Sequence, residues 1–166
     1  MRAILHCDNK WGIGKSNDLM FRLPRDMKFF RETTLNKVVV MGSNTLASFP
    51  GGKPLPNRTN IVLFPGGERR ADCLIVQSLD ELFAEINKYP PDDVFVIGGA
   101  MMYKTLLPCC TEVLLTKVDA DGGAEVFFEN LDVHSDWELA EESEQQDDNG
   151  YLIKFTTYRN KKVKTI

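Results

Sequence analysis

The feature that most restricts the fold is the run Lys37-Val38-Val39-Val40-Met41-Gly42. From Val38 to Met41 it offers no polar face. A strand with one wet side alternates apolar and polar residues, so an unbroken run fits a strand covered on both sides, as in a parallel sheet between helical layers. Similar runs recur at Ala3–Cys7, Asn60–Phe64, Cys73–Val76, Asp93–Ile97 (closed by Gly98-Gly99) and Glu112–Val118. Helical patterns fall between them. Pro24 suits the first position of a helix running toward Thr33, where its missing N–H goes unneeded. A short helix is expected over Ser43 to Ser48. Ser78-Leu79-Asp80-Glu81 is a capping box that opens a helix with Leu82, Phe83 and Ile86 on one stripe. Ala100 to Leu107 predicts another, ended by Pro108. Trp137–Glu144 and Tyr151–Tyr158 flank Asp148-Asn149-Gly150, and Asn-Gly is a strong hairpin signal. The expected fold is α/β: a single domain over residues 1–166. It has a central, mainly parallel twisted sheet with flanking helices on both faces and a C-terminal antiparallel hairpin at one edge. A chain of 166 residues that is 43% hydrophobic can bury one core without staples. On such sheets ligands bind at the carboxyl ends of the strands.

The formal net charge of -4 gives no support to nucleic-acid or anionic-membrane binding. The basic cluster Arg159, Lys161, Lys162 and Lys164 reads as a solvated terminus. No apolar run is long enough to span a membrane, and the stretch after Met1 is too short for a signal peptide. Cys7, Cys73, Cys109 and Cys110 form no C-x-x-C pair, so reduced thiols in the cytoplasm are expected. With only His6 and His134 as imidazoles, no zinc site is expected. The absence of G-x-S-x-G argues against a nucleophilic hydrolase. No exposed apolar helix announces a partner, so a monomer is expected.

Several residues invite a chemical reading beside a structural one. Asp26 would lie in the first turn of the Pro24 helix, where an acid can simply complement the dipole. Phe30, four residues on, shares its face, and Met27 and Phe29 make the surroundings apolar. A carboxylate beside an aromatic wall can instead hold a flat heterocycle through paired N–H donors. Gly98-Gly99 either serves a strand-to-helix turn or lets backbone approach a phosphate. The full G-x-G-x-x-G pattern is absent. The segment Gly12 to Asn17 is a connector or a lid. Arg58 is a surface charge or a bidentate clamp for a carboxylate. His6 reads as a packed strand residue and Trp11 as loop packing.

Trp11-Gly12-Ile13-Gly14 is followed by Leu23-Pro24-Arg25-Asp26-Met27-Lys28-Phe29-Phe30, and then by Val40-Met41-Gly42 with Thr45. Next come Pro54-Leu55-Pro56-Asn57-Arg58-Thr59-Asn60-Ile61-Val62-Leu63, Val96-Ile97-Gly98-Gly99 with Tyr103, and Leu115-Thr116-Lys117-Val118. In this order and spacing the segments resemble the dihydrofolate reductase family nearly end to end. The resemblance implies NADPH-dependent reduction of 7,8-dihydrofolate to 5,6,7,8-tetrahydrofolate for one-carbon metabolism. Hydride would go to pterin C6 and a proton to N5. It implies that Asp26 bonds the amino-pyrimidine edge with Thr116 as hydroxyl partner, and that Ile4 and Ile97 offer backbone carbonyls. Met27, Phe30, Phe49 and Leu55 would wall the pterin and benzoyl groups, and Arg58 would clamp the glutamate α-carboxylate. Ile13, Gly14 and Leu19 would belong to a loop closing over the nicotinamide. Gly98-Gly99, joined by a cis peptide in this family, and Thr45 would serve the cofactor phosphates. Gly42, Ser43, Asn44, Leu63, Phe64, Ala100 and Met101 would also line the cofactor, with His6 and Tyr103 against both ligands. Diaminopyrimidine or pteridine antifolates would be ligands too.

The chain also departs from the family pattern. Leu19-Met20-Phe21 stands where Leu-Pro-Trp is usual, and His6 where a small residue is usual. Ser43 replaces an Arg after Gly42, and Phe64 replaces a hydroxyl residue after Leu63. These last changes predict a weaker preference for NADPH over NADH, unless Arg69 or Arg70 restores the charge. The rival readings are a related pterin or pyrimidine reductase, such as that of riboflavin synthesis, and a non-catalytic ligand-binding relative.

Overall fold

The computed structural model describes residues 1–166. In chain order the elements are β1 (Arg2–Cys7), β2 (Gly12–Gly14), α1 (Pro24–Thr34), β3 (Val38–Gly42) and α2 (Ser43–Ser48). Then come β4 (Thr59–Leu63), β5 (Leu74–Val76), α3 (Leu79–Ile86), β6 (Val94–Gly98) and α4 (Ala100–Leu106). The chain closes with β7 (Glu112–Val118), β8 (Val126–Phe127), β9 (Trp137–Glu142), β10 (Gln146–Asp148) and β11 (Tyr151–Asn160). One sheet carries most of them in the order β10-β11-β7-β1-β6-β3-β4-β5, with β9 also on β11. From β7 to β5 every pair is parallel, and β11 runs antiparallel to β7. This is the mainly parallel sheet with an antiparallel edge that the sequence predicts. No helix is long and apolar enough to cross a membrane.

The valine run explains itself in this sheet. Val38 and Val40 join Ile61, Val94 and Val96 beneath Leu82 and Ile86 of α3 and Leu106 of α4. Val39 and Met41 face the other way, with Val62 and Leu46 of α2. Both faces are covered, so neither parity can be polar. Burying each such side chain contributes about 1.5–3 kcal/mol.

The capping box forms with a shift of one residue. Ser78 Oγ accepts from the amide of Glu81, while the Glu81 carboxylate accepts from Gln77 N rather than Ser78 N. The Pro24 helix runs one residue past Thr33. Pro108 does end α4, through a 3-10 turn over Leu107–Cys109. In the hairpin Asn149 and Gly150 both have positive φ, 55° and 88°, as a two-residue turn between twisted strands requires. The strand expected over Trp137–Glu144 is split. Ser143 Oγ takes the Phe155 N–H at 2.9 Å, a side chain standing in for a ladder partner, and pairing resumes at Gln146.

The hairpin also fixes α1. Leu23, the residue before the helix, gives no side-chain cap. Asp148, 2% exposed at the end of β10, supplies it from afar: its two oxygens accept from the amides of Arg25 and Asp26, each at 3.1 Å. These are free amides of the first helical turn. Asn149 Nδ2 adds a bond to the Arg22 carbonyl. Asp148→Ala is expected to cost about 1–2 kcal/mol of stability, read by urea unfolding. Asp148→Asn, which keeps one acceptor, should lose less.

Candidate active site

The carboxyl ends of β1, β3, β4 and β6 bring His6, Gly42 to Thr45, Leu63-Phe64 and Ile97 to Gly99 to one edge of the sheet. Asp26 enters from α1. It is 8% exposed, and its Oδ1 accepts from Thr116 Oγ at 2.7 Å. On the other side, His6 Nδ1 lies 3.3 Å from Oδ2. The parallel register of β1 and β7 sets His6 opposite Thr116, so one pair of neighbouring strands holds both oxygens. An ionised carboxylate accepts about four hydrogen bonds, so each oxygen keeps a lone pair for a ligand. The carbonyl of Ile4, two residues before His6, accepts from the Tyr103 phenol at 3.0 Å. Burial, with smaller contributions from Cys110 and Asp26, pushes that phenol far up, so it remains a donor.

The apolar part of the site is made in two places. Phe49, Leu55 and Ile97 pack on the Val39–Met41 side of the sheet. Leu19 and Met27 line a cavity of about 700 Å³ between the Asp18–Leu23 segment and the outer face of α1. Phe30 is half-buried on α1, and Phe29 turns to Phe155 of the hairpin, ring centroids 5.0 Å apart. Phe21 is buried, 6.1 Å from the His6 ring and 4.9 Å from the Tyr151 ring.

Arg58 is braced rather than loose. Nε donates to Thr34 Oγ, Nη1 to the Pro56 carbonyl and Nη2 to the Arg31 carbonyl, at 3.1, 2.7 and 3.0 Å. Burial and then the nearby Arg31 lower its pKa from the usual value. Of five N–H groups, one on each terminal nitrogen is left, the pair that a carboxylate takes in bidentate fashion.

Gly98 and Gly99 are joined by a cis peptide. Gly98 has φ +146°, and a Cβ there would lie 2.9 Å from Thr45 Oγ. The Gly98 backbone therefore lies directly against the first turn of α2. Beyond β4, a cavity of about 360 Å³ is lined by Leu46, Phe64, Gly66, Gly67, Glu68, Arg69 and Arg70. Arg70 is committed: Asp72 takes two of its N–H groups and Gly52 O another, and the Asp72 bond raises its pKa. Arg69 has no such partner.

The segment from Gly12 is not all loop. Gly12–Gly14 pairs with Val126–Phe127, leaving Ile13 against the core. Buried Asp8 organises this region. Oδ1 accepts from Lys10 N and Gly12 N at 2.9 and 2.7 Å, and Oδ2 from Gly122 N at 3.0 Å. A Cβ on Gly12 would lie 2.9 Å from both oxygens. Asn17 Nδ2 reaches the Asn44 carbonyl at 3.1 Å, tying the loop tip to α2. All four cysteines are free, and burial pushes the Cys7 and Cys110 thiols up to about 12, which makes them poor nucleophiles.

The sequence reading missed Asp8 and Asp148. Asp8 carried a signal, since an Asp just past a strand commonly bonds the amide two residues on. Asp148 carried none, because its partners lie over a hundred residues away. Asp8→Ala should leave three amides unpartnered and cost at least about 2 kcal/mol, measured by thermal unfolding.

A buried carboxylate held by a hydroxyl and an imidazole at the carboxyl ends of a parallel sheet is an arrangement with which an α/β enzyme would grip a flat, nitrogen-rich ring. The dihydrofolate reductase family model matches residues 1–160. Dihydrofolate reductase of Bacillus subtilis is 35% identical over 153 residues, 90% of this chain and 88% of that one. The Enterococcus faecium enzyme is 38% identical over 134 residues, 80% and 78% of the two chains. A solved dihydrofolate reductase from Enterococcus faecalis, complexed with NADP(H) and RAB-propyl, matches with TM-score 0.83 at 33% identity. It covers 96% of this chain and 95% of that one. The chain belongs to the dihydrofolate reductase family.

Proposed function

We propose that Asp26 is the centre of the reaction, supported by its burial between Thr116 and His6 in a chain of this family. The reaction is NADPH-dependent reduction of 7,8-dihydrofolate to 5,6,7,8-tetrahydrofolate. NADPH, when bound, supplies the hydride for pterin C6. Asp26 takes the amino-pyrimidine edge through its free lone pairs. Its negative charge, little screened where water is excluded, favours the protonated pterin that accepts hydride. Ile4 and Ile97 offer carbonyls to the amino region; Ile4 O keeps a second lone pair beside the Tyr103 bond. Met27, Phe30, Phe49 and Leu55 wall the ring and benzoyl group, and Arg58 clamps the glutamate tail. Antifolates with a diaminopyrimidine edge compete for the same carboxylate. The free thiols suit a reducing compartment, and we assign the cytoplasm.

The residues present fit a phosphorylated dinucleotide. The Gly98 backbone lies so close to Thr45 that a side chain would fill the approach. Gly42, Ser43, Asn44, Thr45, Gly99, Ala100 and Met101 would hold the phosphates, with Ile13, Gly14, Leu19 and Tyr103 beside the nicotinamide. The 2′-phosphate would be held at the cavity lined by Phe64 and Arg69, the arginine there without an ion pair, and Ser43 and Asn44 at the start of α2 would add neutral donors.

The test is NADPH oxidation with dihydrofolate by the purified protein. Asp26→Asn should lower kcat at neutral pH by about 10²–10⁴-fold, partly relieved in acid where the substrate protonates itself. Near-native rates would refute the assignment. Arg58→Leu should weaken dihydrofolate far more than a pterin without the tail, by about 10–100-fold; equal losses would make Arg58 structural. The preference for NADPH over NADH should be modest. It should fall in Arg69→Ala, hold in Arg70→Ala and rise in Ser43→Arg, measured as the ratio of kcat/KM values.

A further inference from the structure

His6 is 8% exposed, and its Nε2 is buried with no hydrogen-bond partner. Packing alone does not call for an imidazole there. The neighbouring ring is Phe21, and a leucine would avoid an unpaired buried nitrogen. The other ring nitrogen faces the acceptor that the proposed reaction depends on. Asp26, when ionised, can only accept, so the contact requires a proton on His6 Nδ1. A neutral ring then has a bare Nε2, and the pair carries one negative charge. A second proton at Nε2 makes the pair neutral. The other charged or titratable groups around this pair are few. Thr116 from β7 is neutral, Tyr103 from α4 keeps its proton, and Asp148 from β10 is spent on the amides of Arg25 and Asp26. No Lys or Arg forms an ion pair with Asp26 or Asp148. The Cys7 thiol belongs to the opposite face of β1.

We propose that His6 is a positioning residue of the reduction. Its Nδ1–H fixes the Asp26 carboxylate opposite Thr116, and proton uptake at Nε2 cancels the charge that Asp26 presents to the pterin. This rests on the reading of Asp26 above. Its consequence is specific. Acid helps the reaction by protonating substrate, and it hinders by charging His6, since histidine commonly changes charge within the range where such enzymes work. The rate therefore acquires an ionisation that belongs to neither Asp26 nor the substrate.

The experiment compares pH profiles of the hydride-transfer rate in the native chain, His6→Asn and His6→Ala. Asparagine keeps an N–H near the Nδ1 position but does not titrate. The native rate should pass through a maximum and fall on the acid side. His6→Asn should lose the acid fall and keep more of the neutral-pH rate than His6→Ala. His6→Ala should lose the acid fall and about tenfold in rate, the size of one lost hydrogen bond to a charged group. Profiles of the same shape in all three, or an Asn variant no better than Ala, would overturn the proposal. A second readout needs no turnover. With His6 and His134 the only histidines, the His6 ring signal is followed by NMR at one fixed pH. In Asp26→Asn that signal should move at fixed pH, as losing the facing carboxylate requires; an unmoved signal overturns the pairing. If Asp26→Asn is itself fully active, the reading of the site fails. If Asp26→Asn is crippled while the His6 signal does not respond to it and His6 does not shape the profile, only this proposal fails.

Discussion

A carboxylate can be kept away from water only if donors replace the water it loses. Asp26 meets that requirement with side chains from two strands, Thr116 on β7 and His6 on β1. The demand propagates outward. The two strands must be adjacent and in parallel register, which the β11-β7-β1-β6 order provides. The helix carrying Asp26 must start at a fixed place, which Asp148 secures through the amides of Arg25 and Asp26. The hairpin at the sheet edge thus takes part in placing a carboxylate more than a hundred residues earlier in the chain.

A second buried acid works the loops in the same way. Asp8 gathers amides from both sides of the opening, Gly12 on one and Gly122 on the other. The short β2–β8 pair and the Asn17 contact to Asn44 leave the loop tethered at its base and tip. Leu19, just past these ties, is exposed.

Most of the sheet was legible because burial on two faces leaves a mark on composition: the apolar runs became β1, β3, β4, β5, β6 and β7. Helix boundaries were legible where local chemistry sets them, at Pro24, Ser78 and Pro108. The Asn149-Gly150 turn was legible because its backbone demands those residue types. What escaped depends on distance in sequence. The Asp148 cap and the β2–β8 pair join segments far apart, and no local pattern announces them. The split between β9 and β10 hangs on one hydroxyl, Ser143 Oγ. At the site, Asp26 stood out by its apolar neighbours. Arg58 could be read two ways until its three bonds to Thr34, Pro56 and Arg31 were visible. The His6–Asp26 contact was hidden, since a histidine on a strand says nothing about what faces it.

The central claim is that an ionised Asp26 favours a positively charged heterocycle. Calorimetry of diaminopyrimidine binding, run in buffers of different ionisation enthalpy, tests it directly because it counts protons taken up on binding. At a pH above the free ligand's own pKa, the native chain should take up about one proton per ligand bound, as linkage to a buried carboxylate requires. Asp26→Asn should bind far more weakly with almost no uptake. Equal uptake and equal affinity in the two proteins would contradict the account.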